Sequence, residues 1–299
     1  MRRVEQVMGL PVAIDVRDER VSGAAVDAAF CWLKRVDSLF STYRRDSQIA
    51  RLNRGELSEE DAEADVREVL AACRRLRERT GGAFDAEAAA RAPGARNRIG
   101  CADGRSGAVE PAGYVKGWAI DGAWDVLWVA GARNAVVDGG GDVIVRGRPE
   151  PDRAWRVGIQ HPLIEDRVAA VLEPGEACVA TSGAYRRGAH IVDPRRGGAA
   201  DAVLSVTCVA CDLATADALA TAGFAMGRSA AGWLARQPDV EAMVIDDSGR
   251  TLTTPGFDAL RVDAPRKVPG SPRRAPSSDI DPPGVTQVER SSSCLPAGR

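Results

Sequence analysis

Apolar and polar positions along the chain alternate between two periods, and the switches between them mark out the elements. Val12, Ile14 and Val16 alternate with Ala13, Asp15 and Arg17, which predicts a half-buried strand just after Met8 and Gly9. Val26, Phe30, Leu33, Val36 and Phe40 recur at helical spacing and predict an amphipathic helix over residues 23–39. Asp46 or Ser47 can cap a short helix ending near Asn53. Val66, Val69, Leu70, Cys73 and Leu76 mark another helix, which stops at Thr80, Gly81 and Gly82. Residues 91–109 are rich in Arg, Gly and Ala without a period and read as a loop.

The stretch 110–147 organises the rest. Two small-residue turns, one holding Gly113, Lys116 and Gly117 and one holding Gly139, Gly140 and Gly141, are expected to bracket a helix. Ile120, Ala123, Trp124 and Leu127 give that helix its period, and Gly131 suits its end. Val143, Ile144 and Val145 follow the triple glycine, so the glycines join two strands; a dinucleotide fingerprint would need a helix there. Glycines let a backbone approach a ligand closely, and a lysine can neutralise a phosphate, so the combination suggests a phosphate-bearing cofactor.

Strands are predicted at Trp155, Val157 and Ile159, over 168–172, over 177–180 and around Val206. Ala180, Thr181, Ser182 and Gly183 read as a turn, and His190 to Pro194 as a strand end. Residues 215–226 are helical by pattern, with Asp217 and Thr221 one turn apart on a single face. Such a carboxylate–hydroxyl pair can hold a hard divalent cation, although helix surface is the commoner meaning. A short helix at Trp233, a strand over 240–246, a turn at Asp247, Ser248 and Gly249 and a strand over 251–254 complete the pattern.

Composition narrows the classes. Of 299 residues 44% are hydrophobic, enough for a sizeable core, and the apolar pattern runs out near Val262. The expectation is one domain over 1–262, with 263–299, dense in Pro, Arg and Ser, as a disordered tail. A net charge of −2 argues against general nucleic-acid affinity. No run is apolar enough for a transmembrane helix, and no signal region or lipidation cysteine stands out, which points to the cytoplasm. The 7 cysteines are an odd number and read as mostly reduced thiols there. Cys208 and Cys211 form a C-x-x-C, but residues three apart on a strand face opposite sides, against a zinc or redox role. With only His161 and His190, a histidine-rich metal site is excluded.

Taken in order, these motifs resemble the FAD:protein FMN transferase (ApbE) family. The resemblance is carried by Met8 and Gly9; Ser41, Thr42 and Tyr43 with Asp46 and Ser47; and Gly81 to Asp85. It continues through Val115, Lys116, Gly117 and Asp121, then Gly139 and Gly140, Ala180 to Gly183, His190 to Pro194 and Ala216 to Thr221, covering nearly all of 4–260. It implies an α+β fold, mainly antiparallel sheets with packed helices of the ApbE-like, T-fold-like kind, binding FAD and Mg²⁺. It implies an activity that cleaves FAD, joins FMN by a phosphoester to a Thr or Ser of a target flavoprotein in an Asp-x-x-Ser/Thr-Gly-Ala-Thr motif, and releases AMP. Carried over, Met8, Tyr43, Ala83, Phe84, Asp85, Glu110, Lys116 and Ile191 would contact FAD. Asp217, Thr221 and the Gly113 carbonyl would hold Mg²⁺, and His190 and Asp217 are the candidate bases. Departures are Leu10 where Thr is common, Glu110 where Asp is frequent, and Ala220 where some members carry a second acidic ligand. An FAD pyrophosphatase using water, or a non-catalytic FAD carrier, would leave the same residues.

Overall fold

The computed structural model describes residues 1–91, 108–183, 192–195, 198–199 and 202–262. The expected tail over 263–299, most of the expected loop over 91–109, and His190 and Ile191 lie outside the described residues.

The chain opens with β1 (Arg2–Val7) and β2 (Leu10–Val16), then α1 (Gly23–Phe40), α2 (Gln48–Arg54), α3 (Ala64–Arg79), α4 (Ala86–Arg91) and α5 (Ala112–Val129). Next come β3 (Ala135–Gly139), β4 (Asp142–Arg146), β5 (Val157–Gln160), β6 (Val168–Leu172), β7 (Cys178–Gly183), β8 (Val192–Asp193), β9 (Gly198–Ala199) and β10 (Val203–Ala210). The final elements are α6 (Leu213–Met226), α7 (Ala230–Leu234), β11 (Glu241–Asp246), β12 (Thr251–Thr253) and β13 (Arg261–Val262). The predicted helices and strands are present, while β1, α4, β9 and β13 escape the period argument: β1 is an edge strand with a single buried position, α4 is a six-residue run, and β9 and β13 are two residues each.

Eight strands form one sheet in the order β1-β2-β3-β4-β7-β10-β11-β12, every neighbouring pair antiparallel. A second sheet has the order β13-β6-β5. The large sheet is the middle layer. Val137, Ile144, Val206 and Cys208 face a core shared with the helices. Val136, Val143, Val145 and Val209 face a second core with Trp155, Val157, Leu172 and Phe257. Burial on both faces explains why β3 and β4 read as continuous apolar runs instead of alternating ones.

Two-residue hairpin turns bring the sequence's small residues to one end of the sheet. Met8 and Gly9 have φ of 54° and 72°, and Gly140 and Gly141 have 69° and 99°. This is the left-handed region a tight hairpin needs at both central positions. Asp138 Oδ1 accepts from Gly141 N at 2.8 Å and fixes the second turn. The two turns are neighbours, because Gly140 N donates to Pro11 O at 3.1 Å. Among the described residues no helix is long and apolar enough to cross a membrane.

Candidate functional site

The site grows from the first turns of α5. Gly113, Lys116 and Gly117 were expected in a turn; they lie inside the helix, which begins at Ala112 after Pro111. Glycine costs helix stability, and here each absent side chain makes room for a neighbour. A Cβ on Gly113 would stand 3.2 Å from the edge of the Phe84 ring and 3.5 Å from Thr221 Cγ2. One on Gly117 would stand 2.5 Å from Leu213 O and 2.7 Å from Ala214 Cα. The start of α6 is therefore seated on bare backbone of α5.

This seating brings three charges together. Lys116 Nζ contacts Asp142 Oδ2 and lies 3.3 Å from Asp217 Oδ1. Both carboxylates are buried, and Asp217 is not the helix-surface residue its spacing most commonly means. Burial opposes the charge on Lys116, but Asp142 and then Asp217 outweigh it and hold its pKa above the ordinary lysine value. For Asp217, burial pushes the pKa up against the pull of Lys116. Asp142 Oδ1 also accepts from Thr181 N at 2.9 Å, which ties the first residue of β4 to β7. Asp217 Oδ2 is buried and has no hydrogen-bond partner among the described residues. An unpartnered buried carboxylate oxygen is costly and is the kind of atom a ligand completes.

One turn further along α6, Thr221 Oγ1 lies 3.2 Å from Ser182 Oγ. Ala180 to Gly183, expected as a turn, are the end of β7, with Ser182 paired to Val206 of β10. Ladder pairing on the β10 side overrides the turn-forming composition. Thr181 points to the other face, where its hydroxyl meets Thr207 at 2.9 Å. Asp142 and Asp217 thus flank the Lys116 ammonium, and Thr221, one turn along α6 from Asp217, meets Ser182 and lies beside Gly113.

Phe84 joins this cluster through Gly113, and Ala83 beside it is buried. Thr80 shapes the segment by donating to Leu76 O at 2.8 Å and accepting from Phe84 N at 2.9 Å. Asp85 accepts from Glu87 N and Ala88 N at 2.9 and 3.1 Å and pairs with Arg77 at 3.2 Å, so it caps α4. Glu110 is tied to the same helix, its N donating to Ala86 O at 2.8 Å. Asn53 clamps Val109 through two hydrogen bonds of 2.8 and 3.0 Å. Met8 sits in its hairpin turn beside the triple glycine, and Tyr43 is 78% exposed. Arg195, paired with buried Asp193, brings its side chain against Gly82.

Asp142 is the residue that motif reading missed. Its signal was its phase: it lies two positions before Ile144, on the face β4 turns to the helices, where a carboxylate needs a partner. Cys208 is buried in β10, while Cys211 lies beyond the end of that strand and is exposed, so the two thiols are not presented together. Among the described residues no three His, Cys, Asp or Glu side chains converge as a metal site. A cation held here would therefore draw on at most two carboxylates, with hydroxyl and backbone oxygens for the rest.

Comparison with known proteins places the chain among relatives. A family model described as the ApbE family matches residues 8–92 and 97–244. A protein of Vibrio cholerae named FAD:protein FMN transferase is 28% identical over 270 residues, 75% of this chain and 81% of that one. Another of that name, from Haemophilus influenzae, is 26% identical over 277 residues, 77% and 80% of the two chains. The crystal structure of an ApbE protein from Thermotoga maritima superposes with a TM-score of 0.76 at 25% identity, covering 88% of this chain and 99% of that one. The flavin transferase ApbE of Vibrio cholerae gives 0.73 at 25% identity, covering 87% and 98%.

Proposed function

The chain belongs to the ApbE family, and from that premise we propose that it is an FAD:protein FMN transferase that needs Mg²⁺. The observation that carries the reading is the ammonium of Lys116 held between Asp142 and Asp217, with Thr221 one turn away and an Asp217 oxygen left free. Carboxylate and hydroxyl oxygens suit a hard cation, and the ammonium beside them suits the phosphate oxygens such a cation carries.

Asp217, Thr221 and the Gly113 carbonyl would hold Mg²⁺, since the free Asp217 oxygen and the closeness of Gly113 to Thr221 fit that donor set. When bound, the cation supplies positive charge against the phosphate oxygens. Lys116 supplies a second, fixed positive charge, and Asp142 keeps it aimed. Met8, Tyr43, Ala83, Phe84, Asp85, Glu110 and Ile191 would contact the rest of FAD; of these, Phe84 packs against Gly113.

In the reaction, the hydroxyl oxygen of an acceptor Thr or Ser bonds to the FMN-side phosphorus. The bond from that phosphorus to the bridging oxygen breaks, AMP leaves with that oxygen, and the hydroxyl proton passes to a base. His190 and Asp217 are the candidate bases; Asp217 as a cation ligand is less available, which favours His190.

The test is mass spectrometry of an acceptor flavoprotein after incubation with the protein, FAD and Mg²⁺. A mass increase of one FMN on a Thr or Ser, with AMP released, is expected. Asp217→Ala should abolish both while retaining most FAD affinity, because the cation acts mainly on charge that grows in the transition state. AMP formed equally without acceptor would mean hydrolysis, and FAD binding without turnover would mean a carrier.

A further inference from the structure

Asp121 has no part in the chemistry above, yet it is a partly buried carboxylate with both oxygens engaged. Its Oδ1 accepts from Leu213 N at 2.9 Å and its Oδ2 from Ala214 N at 2.8 Å. These are the first two backbone N–H groups of α6, which a helix leaves without partners of its own. The third, Thr215 N, is taken by the helix's own cap, Asp212, at 2.7 Å, and Ala216 N opens the helical ladder on Asp212 O. One carboxylate from another helix, 92 residues away, thus grips the end of α6 with two charge-assisted hydrogen bonds.

The grip sits next to the site. Gly117, one turn before Asp121 on α5, is where Leu213 O and Ala214 Cα come closest. Lys116 precedes Gly117, and Asp217 follows Leu213 by one turn, so the clamp and the 3.3 Å Lys116–Asp217 contact lie about one turn apart along both helices. Where the two helices meet at Gly117 the contact is with bare backbone, and no α5 side chain stands between them. That contact limits how closely the helices approach, and the two directional bonds of Asp121 fix where along α5 the end of α6 sits.

We propose that Asp121 is a positioning residue: it sets the register of the Asp217-bearing helix against the Lys116-bearing helix, and through it the spacing of the groups that hold the cation. The inference rests on the cation reading given under Proposed function.

The experiment compares four variants of the full chain: Asp121→Asn, Asp121→Glu, Asp212→Ala and Asp217→Ala. Mg²⁺ binding is measured by calorimetry, and Mn²⁺ binding by electron paramagnetic resonance, on protein shown to be folded by circular dichroism. Asp121→Asn turns an amide donor toward a backbone N–H. Asp121→Glu keeps both acceptors on a longer arm, and it carries the test if the Asn variant does not fold. Asp212→Ala removes a cap from the same helix while leaving both Asp121 hydrogen bonds in place. Both Asp121 variants should bind Mg²⁺ at least roughly tenfold more weakly, and Asp212→Ala should stay within about twofold of wild type despite a lower melting temperature. Wild-type affinity in the folded Asp121 variants, or an equal loss in Asp212→Ala, overturns the positioning role alone. Wild-type affinity in Asp217→Ala, or no binding by the wild type, overturns the cation reading and the inference with it.

Discussion

Lys116 shows how one residue's meaning depends on its partners. In the sequence it is a lysine between a valine and a glycine; in the fold it is the counterion of two buried carboxylates. Removing it has two separate consequences. Lys116→Met should weaken FAD binding by about 10- to 150-fold, the equivalent of about 1.5–3 kcal/mol for a charged contact. It should also leave Asp142 and Asp217 facing each other without a cation, which destabilises a fold by about 3–5 kcal/mol when a buried pair is broken. Calorimetry with FAD and urea unfolding measure the two effects independently. Unchanged FAD affinity in the folded variant would place the ammonium away from the pyrophosphate.

Helix α5 is tuned against α6 by what its side chains leave out. Alanine in place of glycine inside a helix ordinarily stabilises by about 0.8–1 kcal/mol. At Gly117 the sign should reverse, because the added Cβ would meet backbone of α6 at 2.5 Å, and backbone cannot turn aside as a flexible side chain can. Gly117→Ala should cost about 1–3 kcal/mol in urea unfolding, the usual penalty of overpacking, and should weaken Mg²⁺ binding by parting Lys116 from Asp217. Gly232, in α7, is the control: the nearest atom to its absent Cβ is the end of Arg236 at 3.9 Å, so Gly232→Ala should be neutral or stabilising. A stabilising Gly117→Ala would show that the two helices can separate without cost.

The whole molecule carries a pH signature from the same contact. Burial, with Asp212 adding to it, raises the Asp121 pKa from 3.8 to about 6, against two backbone N–H bonds and Arg146, which lower it. A folded pKa above the unfolded one means that the fold favours the protonated form. Stability on this account is present in full below pH 3.8 and is lost as pH rises through about 6. The unfolding free energy of wild type relative to Asp121→Asn should therefore fall by about 2 kcal/mol between about pH 4.5 and 7.5. Urea titrations of both proteins across that range measure it, and a flat difference would show that Asp121 titrates normally. At neutral pH the molecule holds this charge at a cost in stability, which accords with a carboxylate kept for where it places α6.

The sequence by itself determined the elements, the family and the ends of most helices. Val26 to Phe40 could only bury one stripe as a helix, and Gly131, at φ 96°, could stop α5 where its neighbours could not. Ser47 caps α2 as its type and place predicted, accepting from Ala50 N at 3.1 Å. The ordered motifs carried the family because each keeps its own local chemistry. What the sequence left open was every relation between distant segments. Gly113 and Gly117 looked like turn residues because composition cannot tell a glycine that bends from one that lets another helix approach. Asp142, Asp121 and Ser182 drew no role because their partners are 26 to 93 positions away. Burial, the pairing of Lys116 with two acids, and the grip of Asp121 on α6 exist only once the sheet and the two helices are assembled. The charges that matter are set by distances of a few ångströms, and only the packed chain fixes those.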